Sequence, residues 1–235
     1  MIRQYLEDAL QYQGIEITRE QAENFKTYYS LLSEWNNKIN LTAITREEEV
    51  AVKHFEDSLA LLKYFNPKEN AAVIDVGTGA GFPGIPLKIV RGDINLTLLD
   101  SLNKRLLFLD EVCKSLNISA ERIHSRAEDA GQRAEYREMF DVAVSRAVAR
   151  FNLLCELCLP LVRPGGYFVS MKGANAELEA EEAQNAVALL GGKFADIKEY
   201  ALSDGSRRTL FIIEKTAKTP EAYPRRGAKL KSKPL

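Results

Sequence analysis

From Ala71 onward the chain alternates short β-branched runs with helical stretches, and few architectures accept that alternation. The runs are AAVIDV (71–76), INLTLLD (94–100), RIHS (122–125), FDVAVSR (140–146), GYFVSMK (166–172) and TLFIIE (209–214), with a weaker one over Phe194 to Tyr200. Strands separated by helices pair in parallel, because each crossover helix must lie on a sheet face, so βαβ units and a mostly parallel sheet are expected. A chain of 235 residues, 46% of them hydrophobic, has the apolar surface to cover both faces. Residues 1–66 read differently. Thr18 and Gln21 form a capping-box pair ahead of Phe25, Tyr28, Leu32 and Trp35 at helical spacing, and Thr45 with Glu48 repeats the signature ahead of Val50, Phe55, Leu59 and Leu62. Pro67 stops the last of these helices. The expected organisation is a helical N-terminal cap (1–66), an α/β core (67–217) and a C-terminal tail (218–235).

Within that frame the segment VIDVGTGAGFPGIPL (73–87) lies where the first strand turns into the first helix, the place where open α/β sheets bind ligands. Gly77, Gly79 and Gly81 permit positive φ there and let a ligand approach bare backbone. Two cofactor classes compete, since Gly79 to Gly84 spells the dinucleotide fingerprint GxGxxG. Asp75 favours S-adenosylmethionine: a carboxylate pairs with the ammonium of that cofactor and repels a pyrophosphate. Asp100, ending the second run, suits the ribose hydroxyls of either cofactor. Glu128, after the third run, is placed to reach an adenine edge. With a final strand after the sixth run, the arrangement looks like the Rossmann-like sheet of class I S-adenosylmethionine-dependent methyltransferases: seven strands, the last antiparallel.

The segments NLTAI (40–44), HFEDSLA (54–60), LLDSLNKRLLFL (98–109), SRAED (125–129), FDVAVSRAVAR (140–150), RPGGYFVSMKG (163–173) and YPRRGAKLKSKPL (223–235), together with the glycine segment, resemble the RsmG, or GidB, family along nearly the whole chain. The resemblance implies a bacterial methyltransferase acting on N7 of a guanine in 16S ribosomal RNA, with the RNA or a small-subunit precursor as partner. It places the cofactor site on Gly77, Phe82, Ala127, Glu128 and Arg146, beside the Asp75, Gly79, Gly81 and Asp100 read from the turn.

Independently of any family, the fourth run is followed by Ser145-Arg146-Ala147-Val148, not the (N/D)PPY-type segment common in enzymes that methylate exocyclic amines. No Pro-Cys pair offers a nucleophile for pyrimidine C5. A target that already carries a free lone pair remains, guanine N7 among them. It needs positioning and no general base. Arg146 is the positioning candidate, with pairing to Glu128 as its structural alternative. Lys172 is either a solvated strand end or an RNA contact. His54 and Asp57, one helical turn apart, are expected to pair with each other or fix their helix to the core.

The tail carries Lys218, Arg225, Arg226, Lys229, Lys231 and Lys233 against Glu221 alone, on an otherwise acidic chain. It is expected to be a solvated, weakly ordered arm, and Arg225 and Arg226, with Lys172, Arg207 and Arg208, are the candidate RNA contacts. Cys155 and Cys158 form a CxxC inside an apolar helical stretch, and with Cys113, His54 and His124 at unsuitable spacing they read as core thiols; no metal site is expected. Glu177, Glu179, Glu181 and Glu182 suit the first turns of a helix. No run approaches ~18 apolar residues and no secretory h-region opens the chain, so a cytoplasmic, monomeric protein away from membranes is expected. An NAD(P)-dependent oxidoreductase and a non-catalytic RNA-binding module are the rival readings.

Overall fold

All seven expected strands form in the computed structural model, which describes residues 1–146, 149–174, 176–227, 230 and 232–235. The elements run α1 (Ile2–Gln13), α2 (Arg19–Asn36), α3 (Glu47–Val50), a π-helical turn (Ala51–Glu56), α4 (Asp57–Ala60) and a 3-10 turn (Leu61–Lys63), all ahead of the sheet. The sheet region follows as β1 (Ala72–Val76), α5 (Gly84–Val90), β2 (Asn95–Asp100), α6 (Asn103–Ser115), β3 (Ala120–His124), α7 (Ala127–Ala130), β4 (Phe140–Arg146), α8 (Phe151–Cys158), a 3-10 turn (Leu159–Leu161), β5 (Val162–Lys172), α9 (Glu177–Leu189), β6 (Gly192–Ala201) and β7 (Arg207–Lys215). Strand order is β3-β2-β1-β4-β5-β7-β6, and β7 runs antiparallel to both neighbours. The weak run over Phe194 to Tyr200 is strand β6. It lies at a sheet edge and alternates exposed with half-covered residues, hence its faint apolar signal.

Alternation along each strand feeds two cores. Val73, Leu98, Val144, Val169 and Ile212 point toward α1, α2, α5 and α6, in one cluster with Leu6, Phe25, Tyr28 and Phe55. Ile74, Val76, Ala143, Phe168 and Phe211 point to the other face, where α8 and α9 pack. The helices of residues 1–66 therefore share a core with one face of the sheet. The Thr18 capping box forms in full. The Thr45–Glu48 pair does not: α3 starts one residue later, after Arg46, with no side-chain cap, and Tyr29 donates its hydroxyl hydrogen to the Thr45 carbonyl. Three glutamates in that first turn supply the favourable charge instead.

Over residues 218–227 the expectation of a weakly ordered tail is overturned. Arg137 donates to the carbonyls of Gly131, Thr219, Pro220 and Tyr223, and Gln132 donates to that of Pro224. Arg225 makes a forked ion pair with the buried Glu156 of α8, and Leu230 is buried in the second core. A carboxylate placed inside α8 demands a cation, and the tail brings it. Lys229 and Lys231 lie outside the described residues. Cys155 and Cys158 are free and fully buried in α8, where burial pushes both thiols up, as expected of inert core cysteines.

Candidate functional site

Gly77, Gly79 and Gly81 all adopt positive φ, at 71°, 60° and 99°. Two strand-end acids lace this turn from opposite sides. Asp75 Oδ2 accepts from the Thr78 hydroxyl (2.7 Å) and the Gly84 N–H (2.9 Å), while Asp100 Oδ2 accepts from the Gly79 N–H (2.9 Å). Asp100 also accepts from the Leu102 N–H and pairs with Arg105 at 3.2 Å. The turn opens on a cavity of about 390 Å³ lined by Gly77, Asp100, Ser101, Arg105, Ser125, Arg126, Ala127, Glu128 and Arg146.

Asp75 does not line this cavity. It lies behind the turn, fully buried, and its Oδ1 has no hydrogen-bond partner among the described residues. Burial pushes its carboxyl up from 3.8 to about 6, against the hydrogen bonds from Thr78 and Gly84 that favour the anion. Because the folded value exceeds the unfolded one, stability falls as pH rises from 3.8 through 6, by about 3 kcal/mol in all and roughly half of that between pH 5 and 8. Asp75→Asn removes that slope. Urea unfolding at pH 5 and pH 8 should show the variant gaining on the parent by about 1 kcal/mol at the higher pH; an equal difference at both values would dismiss the buried charge as its source.

A second cavity of about 310 Å³ adjoins the first and is lined by Ile44, Lys53, His54, Asp57, Arg146, Met171, Lys172, Gly173 and Arg208. Arg146 belongs to both. The strand ends β4 and β5 and the start of β7 deliver Arg146, Lys172 and Arg208 to one lip, and the π-helical turn Ala51–Glu56 faces them. Single π-helical turns of this kind occur frequently at functional sites. His54 and Asp57 do not pair with each other. Asp57 Oδ2 accepts from Arg146 (3.1 Å) and Oδ1 from Arg208 (3.0 Å). His54 Nδ1 lies 3.3 Å from Arg146 Nη2; because a guanidinium only donates, the imidazole proton sits on Nε2 and is given to Thr42 Oγ1 at 2.8 Å. Burial, then the Arg146 charge, pushes His54 down to about 3, so it is neutral at physiological pH. Its ring stacks on Phe82 at 4.5 Å, and Arg146 lies over the same ring at 5.0 Å.

Of the residues expected from sequence to hold the cofactor, Gly77, Asp100, Ala127, Glu128 and Arg146 meet around the first cavity. Gly79 and Gly81 shape the turn, and Phe82 lies beneath Arg146. Arg146 pairs with Asp57 rather than Glu128, whose ion-pair partner is Arg126 at 3.9 Å. Lys172 is neither a solvated strand end nor free: its ammonium is held by Glu179 (2.8 Å) and the Ala149 carbonyl (2.7 Å) on the wall of the second cavity. Arg208 lines the same cavity, Arg207 is exposed, and Arg225 is committed to Glu156. Arg226 is exposed and 3.5 Å from Asp129. Sequence reasoning singled out neither Lys53, which lies in no motif, nor Ile44 and Arg105, which lie in resembling segments but carry no signal of their own. Ala147 and Val148, which follow Arg146, lie outside the described residues. Among the described residues no group of three or more His, Cys, Asp or Glu gathers as a metal site would require, and no helix is long and apolar enough to cross a membrane.

Comparison with solved structures finds the same sheet architecture in other proteins. The chain is similar to TrmN from Thermus thermophilus (TM-score 0.53, 18% identity, 67% of this chain and 48% of that one). It is also similar to M. jannaschii TYW2 in complex with AdoMet (TM-score 0.53, 16% identity, 64% and 72%). At such identities the likeness is one of fold. Closer relatives are each called ribosomal RNA small subunit methyltransferase G. That of Lachnoclostridium phytofermentans is 50% identical over 226 residues, covering 94% of this chain and 93% of its own. That of Brevibacillus brevis is 46% identical over 237 residues and covers both chains completely. The family model for GidB, rRNA small subunit methyltransferase G, matches residues 21–209. The oxidoreductase and non-catalytic readings fall with that match, and the turn, the two cavities and the arginine between them are those of a chain that belongs to the GidB family of small-subunit ribosomal RNA methyltransferases.

Proposed function

We propose that this chain transfers a methyl group from S-adenosylmethionine to N7 of a guanine in 16S ribosomal RNA, with the cofactor in the first cavity and the target base in the second. The observation that carries the reading is the adjacency of the two cavities across Arg146. The first cavity has the chemistry the cofactor requires. Gly77 presents backbone without a Cβ, Asp100 is a buried acceptor for ribose hydroxyls and Glu128 stands on the adenine side, while Asp75, behind the turn, shapes it through Thr78 and Gly84 rather than facing the cofactor. The cofactor, when bound, supplies an electrophilic methyl on a sulfonium.

What the chain itself does is hold, orient and exclude water. Lys53, Arg146, Lys172 and Arg208 outnumber Asp57 in the second cavity, which suits the phosphates flanking an extruded nucleotide. Arg207, next to Arg208, and Arg226, beside Asp129, are exposed and are further candidate RNA contacts. Neither titratable acceptor in that cavity is available as a base: His54 titrates near 3, and both Asp57 oxygens are engaged by arginines. A target with a free lone pair needs no such base, which favours N7 over an exocyclic amine.

Mapping a labelled methyl group into 16S RNA from a strain lacking this protein tests the reading directly. N7-methylguanine at one position is the expected product. The rate of the chemical step should stay flat between about pH 6.5 and 8.5. A methyl on an exocyclic amine, or a steep rise assignable to one side chain, would contradict it.

A further inference from the structure

The guanidinium of Arg146 is held more tightly than a cofactor contact requires. Nη1 donates to the carbonyls of Lys53 (3.1 Å) and His54 (3.4 Å) and to Asp57 Oδ2 (3.1 Å), and Nη2 donates to His54 Nδ1 (3.3 Å). Beneath it lies Phe82, which belongs to the glycine turn of the cofactor cavity and also carries the stacked His54. Arg146 is thus clamped from the second cavity while forming a wall of the first.

Among these acceptors only Asp57 carries charge. It is also the one acid among the side chains lining the second cavity, and its other oxygen takes Arg208 Nε at 3.0 Å. With both oxygens committed, Asp57 is poorly placed to read a base edge directly. Across the wall stand two acids of the first cavity, Asp100 and Glu128. The Arg146 charge therefore lies between opposing attractions, and its place is set by which side holds it better. A cofactor that engages Asp100 and Glu128 weakens the pull from that side. A phosphodiester in the second cavity draws Arg146 and Arg208 to the same side as Asp57, and is accommodated best when the wall is already fixed. Two ligands that both favour one position of a shared side chain bind cooperatively, by the same factor whichever binds first.

We propose that Asp57 is a positioning residue that fixes Arg146 in the wall shared by the two cavities, so that cofactor and RNA each raise the other's affinity. The proposal rests on reading the second cavity as the place of the target base. It makes the cofactor cavity report on the RNA through a residue that touches neither reacting atom.

The test measures the dissociation constant of S-adenosylhomocysteine, which cannot react, with and without saturating 16S RNA or small subunits, whichever form accepts methyl in the mapping experiment. The parent should show at least about fivefold tightening, within the range usual for coupled sites. Asp57→Asn, which keeps shape and loses charge, should bring the factor to about twofold or less in protein that melts as the parent does. Asp57→Glu, which keeps the charge one methylene away, should retain an intermediate factor. A parent factor of one, or an undiminished factor in folded Asp57→Asn, overturns the proposal. Should Asp57→Asn fail to fold, the full parent factor in Asp57→Glu overturns it. Absence of methyl transfer in the mapping experiment would instead sink the assignment of the cavity itself, so the two failures are distinct.

Discussion

Arg225→Ala should lower the stability of the fold by about 3 kcal/mol, the lower end of what breaking a buried ion pair costs. Glu156 is buried at 1% side-chain exposure, and Arg225 supplies the three hydrogen bonds it accepts: from the backbone N–H (2.8 Å), Nε (2.8 Å) and Nη2 (2.6 Å). Alanine keeps the first and loses the two charged ones, leaving an anion in an apolar helix. For a chain of this size that loss corresponds to a melting point lower by roughly 6–12 °C. Replacing both partners by methionine removes the stranded charge and should recover most of the stability, because apolar packing replaces a buried pair at little cost. A drop under about 1 kcal/mol in the single variant would mean the tail is not held by this pair. The effect should reach the first cavity too. Pro224, next to Arg225, packs over Gly131 at the end of α7, and Ala127 and Glu128 of that helix line the cavity.

The tail shows where reading a sequence stops being sufficient. Its charge suggested an RNA arm, because composition registers the cations and not the acids they meet. Glu156 is 69 residues before Arg225 in an apolar stretch, with no spacing to connect them. The same holds for the second cavity. Arg208 meets Asp57 across 151 residues, and the π-helical turn that carries His54 and leads into Asp57 has no period of its own to detect. By contrast the strands, the glycine turn and the strand-end acids were legible, since each is written in a local pattern: alternation, positive-φ glycines, and an acid where a strand ends. Fold class and the wall of the first cavity follow from such patterns. Long-range ion pairs do not.

The glycine turn itself separates two roles that its spacing makes look alike. A Cβ on Gly79 would find only the Gly77 carbonyl, at 3.9 Å, so the space beside it is open. A Cβ on Gly81 would sit 2.6 Å from the Tyr28 hydroxyl and 2.8 Å from both Ile85 and Leu109, with φ at +99°. Gly79→Ala should therefore cost only the backbone penalty of a left-handed residue, about 1–2 kcal/mol. Gly81→Ala adds an overpacking cost of about 1–3 kcal/mol to a comparable backbone penalty, and neither the rigid Tyr28 ring nor the core leucine can yield cheaply. Tyr28 donates its hydroxyl hydrogen to the Ala80 carbonyl and so binds helix α2 to the turn. Displacing it tilts Phe82, on which both His54 and Arg146 rest. Gly81→Ala should thus melt well below Gly79→Ala and, in whatever folded fraction remains, bind S-adenosylmethionine at least tenfold more weakly than the parent, a loss of about 1.4 kcal/mol or more. Thermal unfolding and calorimetric titration of the two variants side by side provide the check. Equal melting points would mean that Gly81, like Gly79, has room for a side chain rather than packing against Tyr28, Ile85 and Leu109.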